Sequence, residues 1–164
     1  EYRLTALLAL TYRYAKFKDL ASREACVNFY VSQVDAINNW DLVDLSCYKI
    51  LGHWLFDKDK QLLYDWAKED HLWKQRIAMI TCMHFVKQGE FKDALAIADL
   101  LQHHPHDLIH KAVGWILREI GKENEQLLVD YLTPRYKEMP RTMLRYAIER
   151  FEEGKRKAFL HSKV

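Results

Sequence analysis

Apolar residues along this chain recur at intervals of three and four, and no stretch sustains the two-residue alternation of a half-buried strand. The pattern predicts helices near residues 2–17, 21–37, 40–56, 59–69, 72–88, 91–103, 106–121, 124–137 and 140–153, with a further one over 155–162. Short polar breaks separate them: FKD, INN, FDKD, KQGE, HHPHD, GKEN and KEMP. Asn39 suits the N-cap before Trp40, because its side-chain oxygen can accept from a first-turn backbone N–H. Pro105 and Pro140 suit first turns, where the missing N–H has no intrahelical partner to lose. Five glycines and three prolines leave few turn signals, which fits many helices and few hairpins. The expected fold class is all-α.

The helices also pair. The run beginning at Arg76 (RIAMI) aligns with that at Lys111 (KAVGWI) and that at Arg145 (RYAIE), so a polar residue recurs after 35 and then 34 residues. Stepping back 32 residues from Arg76 lands on Asp44. Such a period with two helices per unit predicts an α-α superhelix, a solenoid of HEAT/armadillo-like repeats. In a solenoid the second helices of successive units line one concave surface. Asp44, Arg76, Lys111 and Arg145 would then form a row on it, with Trp40, Trp73 and Trp115 about one turn away. A polar row with aromatic neighbours makes a binding groove. The alternative is that repeats need a polar edge and tryptophans are large core fillers. Trp54, Trp66 and Trp73 are read as core; for Trp40 and Trp115 both readings stand.

Composition changes this picture little. Apolar residues at 49% and five tryptophans suffice for a continuous core and argue against disorder, and 164 residues suit one domain over 1–164. Helical periodicity is already present in the opening EYRLTALLAL, so the sequence reads as starting inside a domain that lacks N-terminal helices. Cys26, Cys47 and Cys82 stand far apart in apolar helical patterns and read as reduced core thiols. No apolar run reaches membrane-spanning length, and a cytoplasmic monomer without a membrane partner is expected. The net charge of +2 hides an asymmetry: residues 134–164 hold nine Lys/Arg against four Asp/Glu. A basic C-terminal quarter is compatible with nucleic acid, though a solvated charged face would look similar.

Four successive segments, NNWDLVD, LWKQRIAMI, IHKAVGWILREIGK and MPRTMLRYAIERF, resemble consecutive motifs of the AlkD-type DNA alkylation repair family. The resemblance runs from residue 1 to about residue 153. It implies HEAT-like-repeat DNA glycosylases that excise cationic alkylpurines such as 3-methyladenine and 7-methylguanine from double-stranded DNA. By position, the resemblance makes Asp44 and Arg76 the catalytic pair and Trp40 and Trp115 the substrate-binding walls. It departs at the N-terminus, because the family has further helices upstream that contribute part of the concave surface.

The residue types suit that chemistry. A purine alkylated at N3 or N7 carries positive charge and leaves readily, so no strong general acid is required. Positive charge growing on the deoxyribose must instead be stabilised, and one ionised carboxylate at position 44 does this and can orient the attacking water. Glycosidases with neutral leaving groups usually need two carboxylates. The ordinary alternative, an acid helping a helix N-terminus, applies better to Asp41. Tryptophan faces attract cations by roughly 0.5–2 kcal/mol. Arg76 suits a backbone phosphate held bidentately, or a salt bridge that orients Asp44; the two are not exclusive. Lys111, Arg118, Arg141, Arg145 and Arg150 are expected to contact phosphates along the groove, positioning the duplex without reading sequence. Arg118 pairing with Glu119 or another acid is the alternative.

In HHPHDLIH, His106 and His110 share a helical face, so zinc is conceivable, but a polar turn capped by Asp107 or a neighbour is the preferred reading. No P-loop, GxGxxG, Ser-centred elbow or iron–sulfur cysteine set occurs, and no cofactor is expected. The rival to a glycosylase is a non-catalytic HEAT scaffold binding structured DNA or a protein partner. Retention of Asp44 together with Arg76 favours the enzyme.

Overall fold

A computed structural model describes residues 1–161, and every regular element among them is helical. The elements are α1 (Tyr2–Lys16), α2 (Leu20–Ser32), a 3-10 turn (Val34–Ala36), α3 (Trp40–Asp44), a π-helical segment (Tyr48–Gly52) and α4 (His53–Leu55). They continue with α5 (Gln61–Lys68), α6 (Leu72–Lys87), α7 (Lys92–Leu101), α8 (Asp107–Glu123), α9 (Glu125–Leu132), α10 (Arg141–Ala147) and α11 (Glu153–Leu160). The all-α expectation holds. Residue 162, the end of the last expected helix, lies outside the described residues.

Where helices end early, side chains compete with the backbone. The expected helix 40–56 is broken after Asp44. Ser46 Oγ donates to Leu42 O at 2.5 Å and meets the buried Tyr30 hydroxyl at 2.9 Å, drawing a carbonyl out of the regular ladder. The chain then widens into the π-helical segment before α4. The expected helix 124–137 stops at Leu132, where Thr133 Oγ1 donates to Val129 O at 2.8 Å.

Two layers follow. The π-helical segment and α3 lie against α6, α6 against α8, and α8 against α10, while α5, α7 and α9 pack behind them. The buried side chains form one continuous cluster from Tyr14 to Phe159. α6 is its central member, buried on all sides through Ile77–Val86 with only His84 partly exposed, as expected for a helix covered by both layers. Glycine permits the closest crossings. A Cβ on Gly52 would sit 2.6 Å from His84 Cβ, and one on Gly114 would sit 2.5 Å from Tyr146 Cβ and 2.6 Å from Met143 O. Neighbouring helices are therefore close enough at these crossings for their side chains to touch. All three cysteines are free and buried, and burial pushes the Cys47 thiol up to about 12, which leaves it unreactive. Trp66 is in the core, with Trp54 and Trp73 half-buried at its edge.

Candidate active site

The start of α3 separates two acids with different work. Asn39 Oδ1 accepts from the Trp40 N–H at 2.8 Å, and Asp41 Oδ1 from the Leu42 N–H at 2.8 Å, so Asn39 and Asp41 satisfy the helix start. Asp44 is the last residue of α3, and its side chain turns onto α6. There it accepts two parallel bonds from Arg76: Nε to Oδ1 at 3.0 Å and Nη2 to Oδ2 at 2.7 Å. Arg76 Nη1 donates to the Leu108 carbonyl at the start of α8, so one guanidinium ties α3, α6 and α8 together. The pair is withdrawn from water, with side-chain exposures of 11% for Asp44 and 5% for Arg76. Burial pushes the Asp44 carboxyl above its ordinary range; hydrogen bonds and charge from Arg76 oppose the rise, and Asp41 adds to it.

The carboxylate opens onto a cavity of about 290 Å³ lined by Trp40, Asp44, Arg76, Leu108, Lys111, Trp115, Arg118 and Tyr146. Asp44 is the one acid among these described residues. Trp40 is 54% exposed at the rim, while Trp115 is half-buried against the core. The expected residues Trp40, Asp44, Arg76, Lys111, Trp115 and Arg118 are thus brought to one place. Their cations are not idle: Lys111 pairs with Asp107 at 2.8 Å, and Arg118 pairs with Glu149 and lies 3.6 Å from Glu119. The Arg118 Nε is buried and without a hydrogen-bond acceptor.

Arg141, Arg145 and Arg150 are exposed and stand apart from this cavity. At α10 the residue that enters it is Tyr146, one position beyond the repeat alignment. Tyr146 is the lining residue that the sequence pattern does not mark, and Glu149 reaches the site only as the partner of Arg118. Tyr146 adjoins Arg145 in RYAIERF, and the close approach of α10 to Gly114 turns it inward. In the histidine-rich turn, His106 Nδ1 accepts from the Leu108 N–H at 3.1 Å, so the capping neighbour is His106 itself.

A carboxylate clamped by an arginine, walled by two tryptophans and flanked by cations suits an anionic polymer that carries a positively charged centre. This chain belongs to the DNA alkylation repair enzyme family, whose model matches residues 1–151. The family gives it a role in DNA repair, with DNA as its substrate, and bears out the resemblance of the four motifs. No curated protein matches the chain. No described helix is long and apolar enough to cross a membrane.

Proposed function

We propose that the protein is a monofunctional DNA glycosylase, built as a solenoid of HEAT-like repeats, that hydrolyses the N-glycosidic bond of cationic alkylpurines in duplex DNA. The observation that carries this reading is the lone carboxylate. Asp44 lines the same cavity as Trp40 and Trp115, with no second acid among the described lining residues. As the bond from C1′ to the purine nitrogen breaks, its electrons neutralise the alkylated base, and positive charge grows on the sugar. The ionised Asp44, its side chain only 11% exposed, stabilises that charge. Water then attacks C1′ and loses its proton to Asp44 or to solvent, which leaves an abasic deoxyribose. No acid is needed to protonate a base that already leaves as a neutral molecule.

Arg76 acts through Asp44. Its Nε, Nη1 and Nη2 donors engage Asp44 and Leu108, so it fixes the carboxylate's direction and keeps it ionised. Trp40 and Trp115 favour the cationic nucleotide through their ring faces. Phosphate contacts fall to Lys111 and Arg118 beside the cavity, and to Arg141, Arg145 and Arg150 farther out. The test is base release from duplexes carrying either 7-methylguanine or neutral hypoxanthine. Release of the cationic base with retention of the neutral one is expected. Binding of both duplexes without release of either base would replace the glycosylase with the scaffold reading.

A further inference from the structure

The C-terminal helix α11 begins at Glu153, beyond the residues that match the family. It is not loosely attached. Phe159 is buried, meets the Tyr136 ring edge-on with centroids 5.3 Å apart, and lies 5.7 Å from Phe151. Glu152 caps the helix by accepting from the Gly154 N–H at 2.8 Å and the Lys155 N–H at 3.2 Å, and Lys155 pairs with Glu125. A helix held this firmly presents its remaining cations in fixed places.

Those cations face α10. A cavity of about 500 Å³ is lined by Arg145, Ile148 and Glu149 from α10 and the turn after it, and by Arg156, Lys157, Leu160 and His161 from α11 and the turn after it. Among the described residues no acid pairs with Arg145 or Arg156. Lys157 pairs with Glu153 along the helix surface at 2.6 Å. The one acid in the lining, Glu149, bonds across to Arg118, which lines the Asp44 cavity. The two cavities therefore share a single ion pair as their border.

We propose that Arg145, Arg156 and Lys157 form a second phosphate-binding cleft that holds the DNA backbone beyond the lesion nucleotide, with Glu149 guarding the passage between cleft and active site. This rests on the reading of the protein as a DNA glycosylase and extends its contact surface past the family-matched residues. Two guanidinium groups in one cleft, with no acid partner among the described residues, suit phosphodiester oxygens, which they can bind bidentately. Ile148 and Leu160 supply an apolar floor that weakens competition from water. A backbone phosphate at the border takes Arg118 from Glu149 and offers a hydrogen-bond acceptor to the Arg118 Nε, whose nearest acid, Glu119, stands 3.6 Å away.

The test is duplex binding, followed by fluorescence anisotropy across a salt series, for wild type, Arg156→Ala, Arg156→Gln and Glu149→Gln. Each phosphate contact contributes about 0.9 to the slope of log K against log salt on B-DNA. Both Arg156 variants should bind more weakly and with a slope shallower by about that amount. Glu149→Gln should bind more tightly, because it removes the acid that competes for Arg118 and repels phosphate. A neutral methylphosphonate at the contacted position should weaken wild type and leave Arg156→Ala unaffected. Thermal midpoints measured in parallel identify any variant that is merely unfolded, and Arg156 is only half-buried, where either replacement is tolerated. Unchanged affinity and slope in both Arg156 variants, with wild type binding normally, overturn the cleft and leave the glycosylase reading standing. Failure of wild type to bind duplex DNA at all overturns both.

Discussion

Replacing Arg76 by alanine tests whether the Asp44 pair is a structural joint as well as a catalytic one. The substitution leaves the Asp44 carboxylate, 11% exposed in the intact protein, without a counter-ion, and it strips Leu108 O of a donor. Breaking a buried ion pair by removing one partner typically destabilises by about 3–5 kcal/mol. For a chain of this length each kcal/mol lowers the melting midpoint by roughly 2–4 °C, so a drop of about 6–20 °C is expected. The loss must also depend on pH. With Arg76 gone, burial and Asp41 act on the Asp44 carboxyl unopposed, so its folded pKa climbs further above the ordinary 3.8. A carboxyl whose folded pKa is raised contributes stability that is fully present below its unfolded pKa. That contribution is lost as pH rises through the folded value. The destabilisation by Arg76→Ala should therefore be smaller in acid, where Asp44 is protonated, and full at neutral pH. Urea denaturation of both proteins across the pH range measures it. Replacing both partners, Asp44→Asn with Arg76→Met, should recover part of the stability, because no unpaired buried charge remains. A loss below about 1 kcal/mol at neutral pH, or one independent of pH, would refute the reasoning.

Further outcomes follow from the same geometry. The single-turnover rate of base release should fall in acid with a midpoint above the ordinary carboxylate value, since burial raises Asp44 and only its ionised form works; a midpoint at or below that value contradicts the assignment. Gly114→Ala places a methyl group 2.5 Å from Tyr146 Cβ and 2.6 Å from Met143 O, and overpacking of this kind costs about 1–3 kcal/mol. An unchanged denaturation midpoint would show that α8 and α10 do not cross so closely.

Much of the architecture was readable from periodicity, because helices buried on one face repeat their apolar residues every three or four positions. The Asp44–Arg76 relation is also readable, since a 32-residue step carries one polar position onto the helix packed against α3. The repeat alignment then slipped at α10. It selected Arg145 by residue type, whereas contact with Gly114 turns Tyr146 inward, and such contacts are set by helix crossing rather than by local pattern. Helix interruptions were hidden for a related reason. Ser46 looks like one polar residue in an apolar run until Tyr30, sixteen positions earlier, is seen to meet its hydroxyl. Arg118 invites pairing with an acid, but its partner Glu149 lies 31 residues away, and no sequence spacing singles it out from the other surface acids.

The most direct measurement compares wild type with Asp44→Asn in single-turnover release of 7-methylguanine from duplex DNA, with DNA affinity measured alongside. Asparagine keeps the side chain's size and removes its charge. If Asp44 stabilises the developing sugar cation, the rate should fall by about 10²–10³-fold while affinity stays within a few-fold. An Asp44→Asn variant that releases base within a few-fold of the wild-type rate would contradict the assignment of catalysis to this carboxylate.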